Sequence, residues 1–263
     1  MSKTDRDWER WGASSPYYGV LSIDKFRGEH MTTEAEAEFF ESGERHVSSI
    51  FSRIEAQHAG PFLPMTTLDF GCGVGRLAIP LASRSERVIA MDISDSMLEE
   101  TRKNCDKRNI VNVKYVKSDD ELSVVVAPVD LVHSFIVLQH IAERRGTKII
   151  TRLAESVATG GYLAVQFYTM SNANPLVRTA VKLRYGFPPA NWLRNAIKSR
   201  PIFEQPMQLH TYNLAKILRI LRRVGFSQVE AHLDTEDGGR FESVFVLARK
   251  NSGGQASIIN PHS

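Results

Sequence analysis

Only two cysteines, Cys72 and Cys105, occur in the sequence. Two thiols cannot build a disulfide framework, so a reducing cytosol is the expected location. Long apolar runs are also missing. No stretch approaches the roughly 18 unbroken apolar residues that a membrane span needs, and the first residues, MSKTDRDWERW, lack the apolar centre of a signal peptide. Charge of one sign is scarce too: the net charge of +3 is too small to imply a nucleic-acid partner by itself. No close grouping of His, Asp and Glu has ligand spacing, so no metal is expected. What is present is ordinary globular composition, 42% hydrophobic over 263 residues, enough for one large domain or one domain with a lid.

From residue 66 onward, short β-rich runs alternate with helical patterns. Residues 67–70, 87–91, 113–116, 129–135 and 162–167 read as buried strands. Ser94 can cap a helix that turns Met97, Leu98, Thr101 and Cys105 to one side. Residues 147–158 form a second helical pattern that stops at Gly160-Gly161. Such alternation predicts a parallel sheet with helices on both faces. The rhythm then changes. A helix over 213–224, ended by Gly225, leads to two strands, 228–233 and 243–248, joined by DTEDGGR. A connection this short predicts an antiparallel hairpin.

The first strand gives way to a helical run through LDFGCGVGRLAIPLA, with Asp69 closing the strand and Arg76 opening the helix. Glycine permits a sharp turn and lets a ligand lie against the main chain, and a helix N-terminus adds unpaired N–H groups. A tight turn alone needs one glycine; three stand here at alternate positions. A dinucleotide fingerprint would require glycine at position 76, which is Arg76. The pattern Asp69-x-Gly71-x-Gly73-x-Gly75 instead resembles the first motif of the class I S-adenosylmethionine-dependent methyltransferases, over about residues 66–250.

That resemblance implies a Rossmann-like, seven-stranded, mostly parallel sheet with an antiparallel last strand. It also implies S-adenosylmethionine as cofactor and S-adenosylhomocysteine as product. Asp69 and Gly71 would face the methionine amino group, and the Gly73–Gly75 backbone would underlie the ribose. Asp92 would bridge the two ribose hydroxyls, since two acceptor oxygens match two adjacent donors. Ile93 would lie against the adenine, and Asp119, with Asp120 as the alternative, would accept the adenine amino hydrogens. Ser134 stands where the fourth strand meets the methionine part. Cys72 is either packing or a backbone contact with the cofactor.

A sulfonium methyl is already electrophilic, so the protein has to align the acceptor and, for a hydroxyl, remove a proton. His140 follows the fourth strand, where some O-methyltransferases of this fold place a base; the alternative is a cap on the next helix. His133 reads as packing, while His210 and Tyr212 could line a pocket. The N/D-P-P-Y/F run of amino-group nucleic-acid methyltransferases is absent, with SFIVLQHI in its place.

Two segments flank this frame. Residues 1–60, rich in aromatics, resemble an N-terminal extension of a bacterial subset of these enzymes, and the resemblance implies a helical lid. It would bring Tyr18, or Tyr17, near the cofactor, unless these rings only pin the segment to the body. Residues 168–210, between strands five and six of a domain spanning 61–250, form a cap. It has six basic residues, Arg178, Lys182, Arg184, Arg194, Lys198 and Arg200, against one acid, Glu204. Residues 251–263 read as a disordered tail. The expected function is O-methylation of a small sugar or natural-product acceptor, which the cap allows to be anionic, with nucleic acid disfavoured. The alternatives are a macromolecular, carrier-bound or lipid-bound acceptor docked by the cap, and a cofactor-binding module without catalysis.

Overall fold

The computed structural model describes residues 2–58, 60–119, 122–123, 128–198, 200–236 and 238–251. Asp120 and all of the expected tail except Asn251 lie outside them. Seven strands form one sheet: β1 (Thr66–Phe70), β2 (Arg87–Asp92), β3 (Val113–Lys117), β4 (Val129–Ser134), β5 (Val157–Ser171), β6 (Phe226–Glu236) and β7 (Phe241–Lys250). Their order is β3-β2-β1-β4-β5-β7-β6. Strands β1 to β5 pair in parallel, and β7 runs antiparallel to both β5 and β6. The fold is the Rossmann-like, seven-stranded, mostly parallel sheet with an antiparallel last strand that the resemblance implies. Strand order reverses between β1 and β4, and at that point open α/β sheets leave a crevice beyond their carboxyl ends.

Side-chain alternation along the strands separates two cores. Leu68, Phe70, Val132, Leu163 and Val165 pack toward helices α6 (Glu143–Ser156) and α9 (Leu214–Val224). Val88, Ala90, Leu131 and Ala164 pack toward α3 (Thr33–His58), α4 (Ala78–Ala82) and α5 (Asp95–Asp106). Local chemistry sets the helix ends. Ser94 Oγ accepts from the Met97 N–H at 3.1 Å to start α5, and Gly225, at φ 101°, closes α9.

Several boundaries differ from the sequence pattern. Helix α6 stops at Ser156, because Val157 pairs with Val129 and joins β5. Strand β5 runs on to Ser171 along β7, so the cap leaves the sheet later than residue 168. Arg76 precedes α4 rather than opening it, because Gly75 at φ 87° holds the chain out of helical conformation.

The N-terminal 60 residues divide in use. Val47, Ile50, Phe51 and Ile54 of α3 are core residues beneath the sheet. Helices α1 (Lys3–Ser14) and α2 (Pro16–Val20) instead lie over the loops after β2 and β4. Tyr17 pins this segment: its hydroxyl is 3.0 Å from Glu100 Oε1 and 3.1 Å from Asn104 Oδ1. The cap consists of α7 (Pro175–Gly186) and α8 (Pro188–Ile197), and its base closes where Thr211 bridges Tyr168.

Helix α3 meets the glycine turn at Gly43, where an added Cβ would stand 2.1 Å from the Arg76 carbonyl oxygen. A backbone atom cannot step aside as a side chain can. Gly43→Ala should therefore lose about 1–3 kcal/mol of stability. In a thermal melt the midpoint should fall by roughly 2–4 °C per kcal/mol; an unchanged midpoint would show that α3 slides freely there.

Candidate functional site

The site starts from three glycines in left-handed conformation, Gly71, Gly73 and Gly75, at φ 77°, 56° and 87°. Their turn folds back on the end of β2. The N–H groups of Gly71 and Cys72 donate to the Met91 carbonyl at 2.7 and 3.0 Å. The Gly73 N–H donates to Asp92 Oδ2 at 2.9 Å, and the Ser94 N–H to Asp92 Oδ1 at 3.0 Å. Asp92 is buried, which pushes its pKa up to about 6 against the pull of these donors. Each of its oxygens accepts one backbone N–H and keeps a lone pair for a ligand.

A first cavity of about 90 Å³ opens beside this turn, and Gly71, Gly73, Asp92, Ile93, Asp119 and His140 all line it. Trp8 and Val20 narrow it; an added Cβ on Gly73 would lie 2.5 Å from Val20 Cγ2. A second cavity, of about 500 Å³, lies between α2, the loop after β4 and the cap. His140 lines this one as well.

The other expected residues stand elsewhere. Asp69 is buried, with Oδ1 2.9 Å from His133 Nδ1 and with no hydrogen-bond partner at Oδ2. His133 Nε2 in turn lies 3.1 Å from His46 Nε2, and burial, with His133 beside it, lowers the His46 pKa to about 2. His133 is thus more than packing: it links the glycine turn to α3. Gly75 faces Thr101, 3.0 Å from where its Cβ would be, and shapes the turn without lining a cavity. Cys72 packs in the core, where burial holds its thiol pKa well above normal. Ser134 Oγ donates to the Phe70 carbonyl at 2.9 Å and ties β4 to β1. Tyr18 lines the second cavity rather than the first, its ring covered by the Arg27 guanidinium at 3.6 Å.

His140 ends a short 3₁₀ turn, Leu138–His140, and does not cap α6, whose N-cap residue is Ala142. Its Nδ1 is 2.9 Å from the Gln208 carbonyl oxygen. A carbonyl only accepts, so Nδ1 carries the proton and Nε2 the free lone pair. The ring meets Trp8 edge-on, with centroids 4.9 Å apart, and burial lowers its pKa to about 4. Tyr212 lines neither cavity; its hydroxyl lies 2.7 Å from the carbonyls of both Leu138 and Ile141 and holds the turn in place. His210 lines neither as well, and supports the turn through its N–H to the Gln139 carbonyl, 2.7 Å away.

Of the cap cations, Arg184, Arg194 and Arg200 line the second cavity, whereas Lys198 is exposed and does not. The side chains of Arg178 and Lys182 lie outside those described. Gln139 and Trp11 also line the second cavity; only adjacency to His140 could have singled out Gln139, and nothing could have singled out Trp11. Among the described residues no group of three or more His, Cys, Asp or Glu is placed to hold a metal ion. No described helix is long and apolar enough to cross a membrane.

Residues 67–161, from β1 to the start of the fifth strand, match the sequence profile of a family described as "Methyltransferase domain". Over these residues the chain carries a methyltransferase domain. It is similar to the tRNA 5-carboxymethoxyuridine methyltransferase of Escherichia coli K12, at 29% identity over 107 residues, 40% of each chain. It is also similar to the ubiquinone biosynthesis O-methyltransferase of Acinetobacter baylyi, at 26% over 121 residues, 45% of this chain and 49% of the other. The match thus spans about half or less of these relatives. Among solved structures, magnesium protoporphyrin IX methyltransferase from Synechocystis with bound S-adenosylhomocysteine superposes with a TM-score of 0.56 at 20% identity. That superposition covers 90% of this chain and 98% of that one.

In the methyltransferase domain Asp92 is ionised above about pH 6, and ionised it offers acceptors on both oxygens. Affinity for S-adenosylhomocysteine should hold above that pH and weaken as pH falls through it. Asp92→Ala should weaken binding at neutral pH by about 1.5–3 kcal/mol and remove that pH dependence. Calorimetric titrations at pH 5 and 7.5 check both; equal affinities for the parent at the two values would detach Asp92 from the cofactor.

Proposed function

We propose that this protein transfers the methyl group of S-adenosylmethionine to a hydroxyl of a small molecule held in the second cavity, with His140 as the base. One observation carries this reading: His140 lines both cavities, its Nδ1 committed to Gln208 and its Nε2 lone pair left over. The residues around the first cavity suit the cofactor. Asp92 would hold the ribose hydroxyls, and Ile93 and Asp119 the adenine. Admission would move Val20 off Gly73, so α1 and α2 act as the lid, 168–210 as the acceptor cap and 61–250 as the methyltransferase domain. The free, buried cysteines suit a reducing cytosol.

When bound, the cofactor supplies a methyl on a sulfonium that needs no activation. The chain supplies orientation and proton removal. Trp8 packs edge-on against the His140 ring, which is buried. Burial keeps His140 neutral far below pH 6.5, which also makes it a weak base. A phenolic proton, at a pKa near ~10, passes to such a base more readily than that of an aliphatic alcohol.

A second reading has its own support. The cap exposes Leu176, Leu183, Phe187, Leu193, Ile197 and Phe203, beside basic residues. An apolar, basic surface of this kind suits an acceptor presented at a lipid surface or on a carrier, and suits RNA less well. The relatives named above point both ways, one toward tRNA and one toward ubiquinone biosynthesis.

Transfer of labelled methyl from S-adenosylmethionine into a cell extract reports turnover whatever the acceptor is. His140→Ala should lower it by roughly 10²–10⁴-fold with S-adenosylhomocysteine affinity unchanged. Undiminished labelling by the variant would remove His140 from the chemistry.

A further inference from the structure

The cap turns three guanidinium groups toward the second cavity: Arg184 from α7, Arg194 from α8 and Arg200 just beyond it. Two acids line the same cavity, and both are engaged. Glu204 takes Arg27 at 2.6 Å and stands 3.7 Å from Arg200. Glu236 accepts from Gln166 Nε2 at 3.1 Å and from Ser243 Oγ at 3.2 Å. Among the described residues neither Arg184 nor Arg194 has a carboxylate within ion-pair distance. Arg184 Nε is steered by Asn191 Oδ1 at 3.4 Å. Asn191 and Asn195, both buried, hold the Glu204 carbonyl at 2.9 and 3.0 Å. The cations therefore sit on a built frame. Burial, then the nearby Arg194 and Arg200 charges, lowers the pKa of Arg184, as expected for cations gathered without enough counter-charge.

Two more polar atoms on cavity-lining residues are buried without partners. They are Trp11 Nε1 and Gln139 Oε1, on residues 5% and 1% exposed. An indole N–H only donates and an amide oxygen only accepts, and a ligand hydroxyl can both accept and donate. The guanidinium fork, for its part, matches carboxylate and phosphate oxygens in pairs.

We propose that the second cavity recognises a hydroxy acid, its hydroxyl read by Trp11 and Gln139 beside His140 and its carboxylate or phosphate monoester held by Arg184, Arg194 and Arg200. The assignment rests on the reading of this cavity as the acceptor site. It names a substrate class without fixing the scaffold.

The test titrates the full chain, saturated with S-adenosylhomocysteine, with inorganic phosphate and with benzoate at low ionic strength. At least one anion should bind saturably; the tighter of the two identifies the head group. Arg184→Gln and Arg194→Gln should each weaken that binding about tenfold or more, and Lys198→Gln, an exposed neighbour, should not. The best of the three monohydroxybenzoates should bind several-fold tighter than benzoate, a gain that Gln139→Leu abolishes. A protein that binds S-adenosylhomocysteine but neither anion overturns the proposal and leaves the methyl-transfer reading standing. So does equal weakening by Lys198→Gln, or the absence of any gain from the hydroxyl. A protein that binds an anion through Arg184 and Arg194 yet binds no S-adenosylhomocysteine supports the subsite and removes the methyl-transfer reading.

Discussion

The hydrogen bond from the Gly73 N–H to the Asp92 carboxylate, 2.9 Å long, joins the two loops on which the site depends. Burying a carboxylate is costly unless donors surround it. Here the backbone supplies them from two directions, the glycine turn and the start of α5. Gly73 is left-handed here, at φ 56°, a conformation that side chains rarely adopt. The cost is not fully offset, which is why burial still raises the Asp92 pKa. A carboxylate left in that condition favours a ligand with hydroxyl donors.

A similar imbalance recurs near the site. Asp69 Oδ2, Trp11 Nε1 and Gln139 Oε1 are all buried without partners, although most buried polar groups in folded proteins are satisfied. Trp11 and Gln139 line the second cavity, and Asp69 lies near the end of β1, just before the glycine turn. The sheet and its two apolar cores carry the fold.

Three histidines show how partners, more than burial, divide roles. His133 is enclosed between Asp69 and His46 and links β4 to α3. His46 is neutral, stacked near Phe135 with ring centroids 4.0 Å apart. His140 is no less hidden from solvent than a core residue, yet it alone has one nitrogen fixed by a carbonyl and a place on both cavity walls. An imidazole with one committed nitrogen has a defined tautomer, and therefore a defined direction for proton transfer.

The sequence by itself determined the strand series, the closing hairpin, the glycine turn and the acids that end β2 and follow β3. These depend on local periodicity, on the conformational freedom of glycine and on residue spacing, all of which survive in one dimension. Local reading could not tell which glycines line a cavity: Gly73 does and Gly75 does not, because Thr101 of a distant helix fills that side. It could not separate Arg184, Arg194 and Arg200 from Lys198, since helix packing decides which cations turn inward. Nor could it bring Trp11, His140 and Arg194 to one cavity. Those residues are about 130 and 54 positions apart in the chain, and only tertiary packing of α1, α2 and the cap over the sheet's carboxyl edge gathers them.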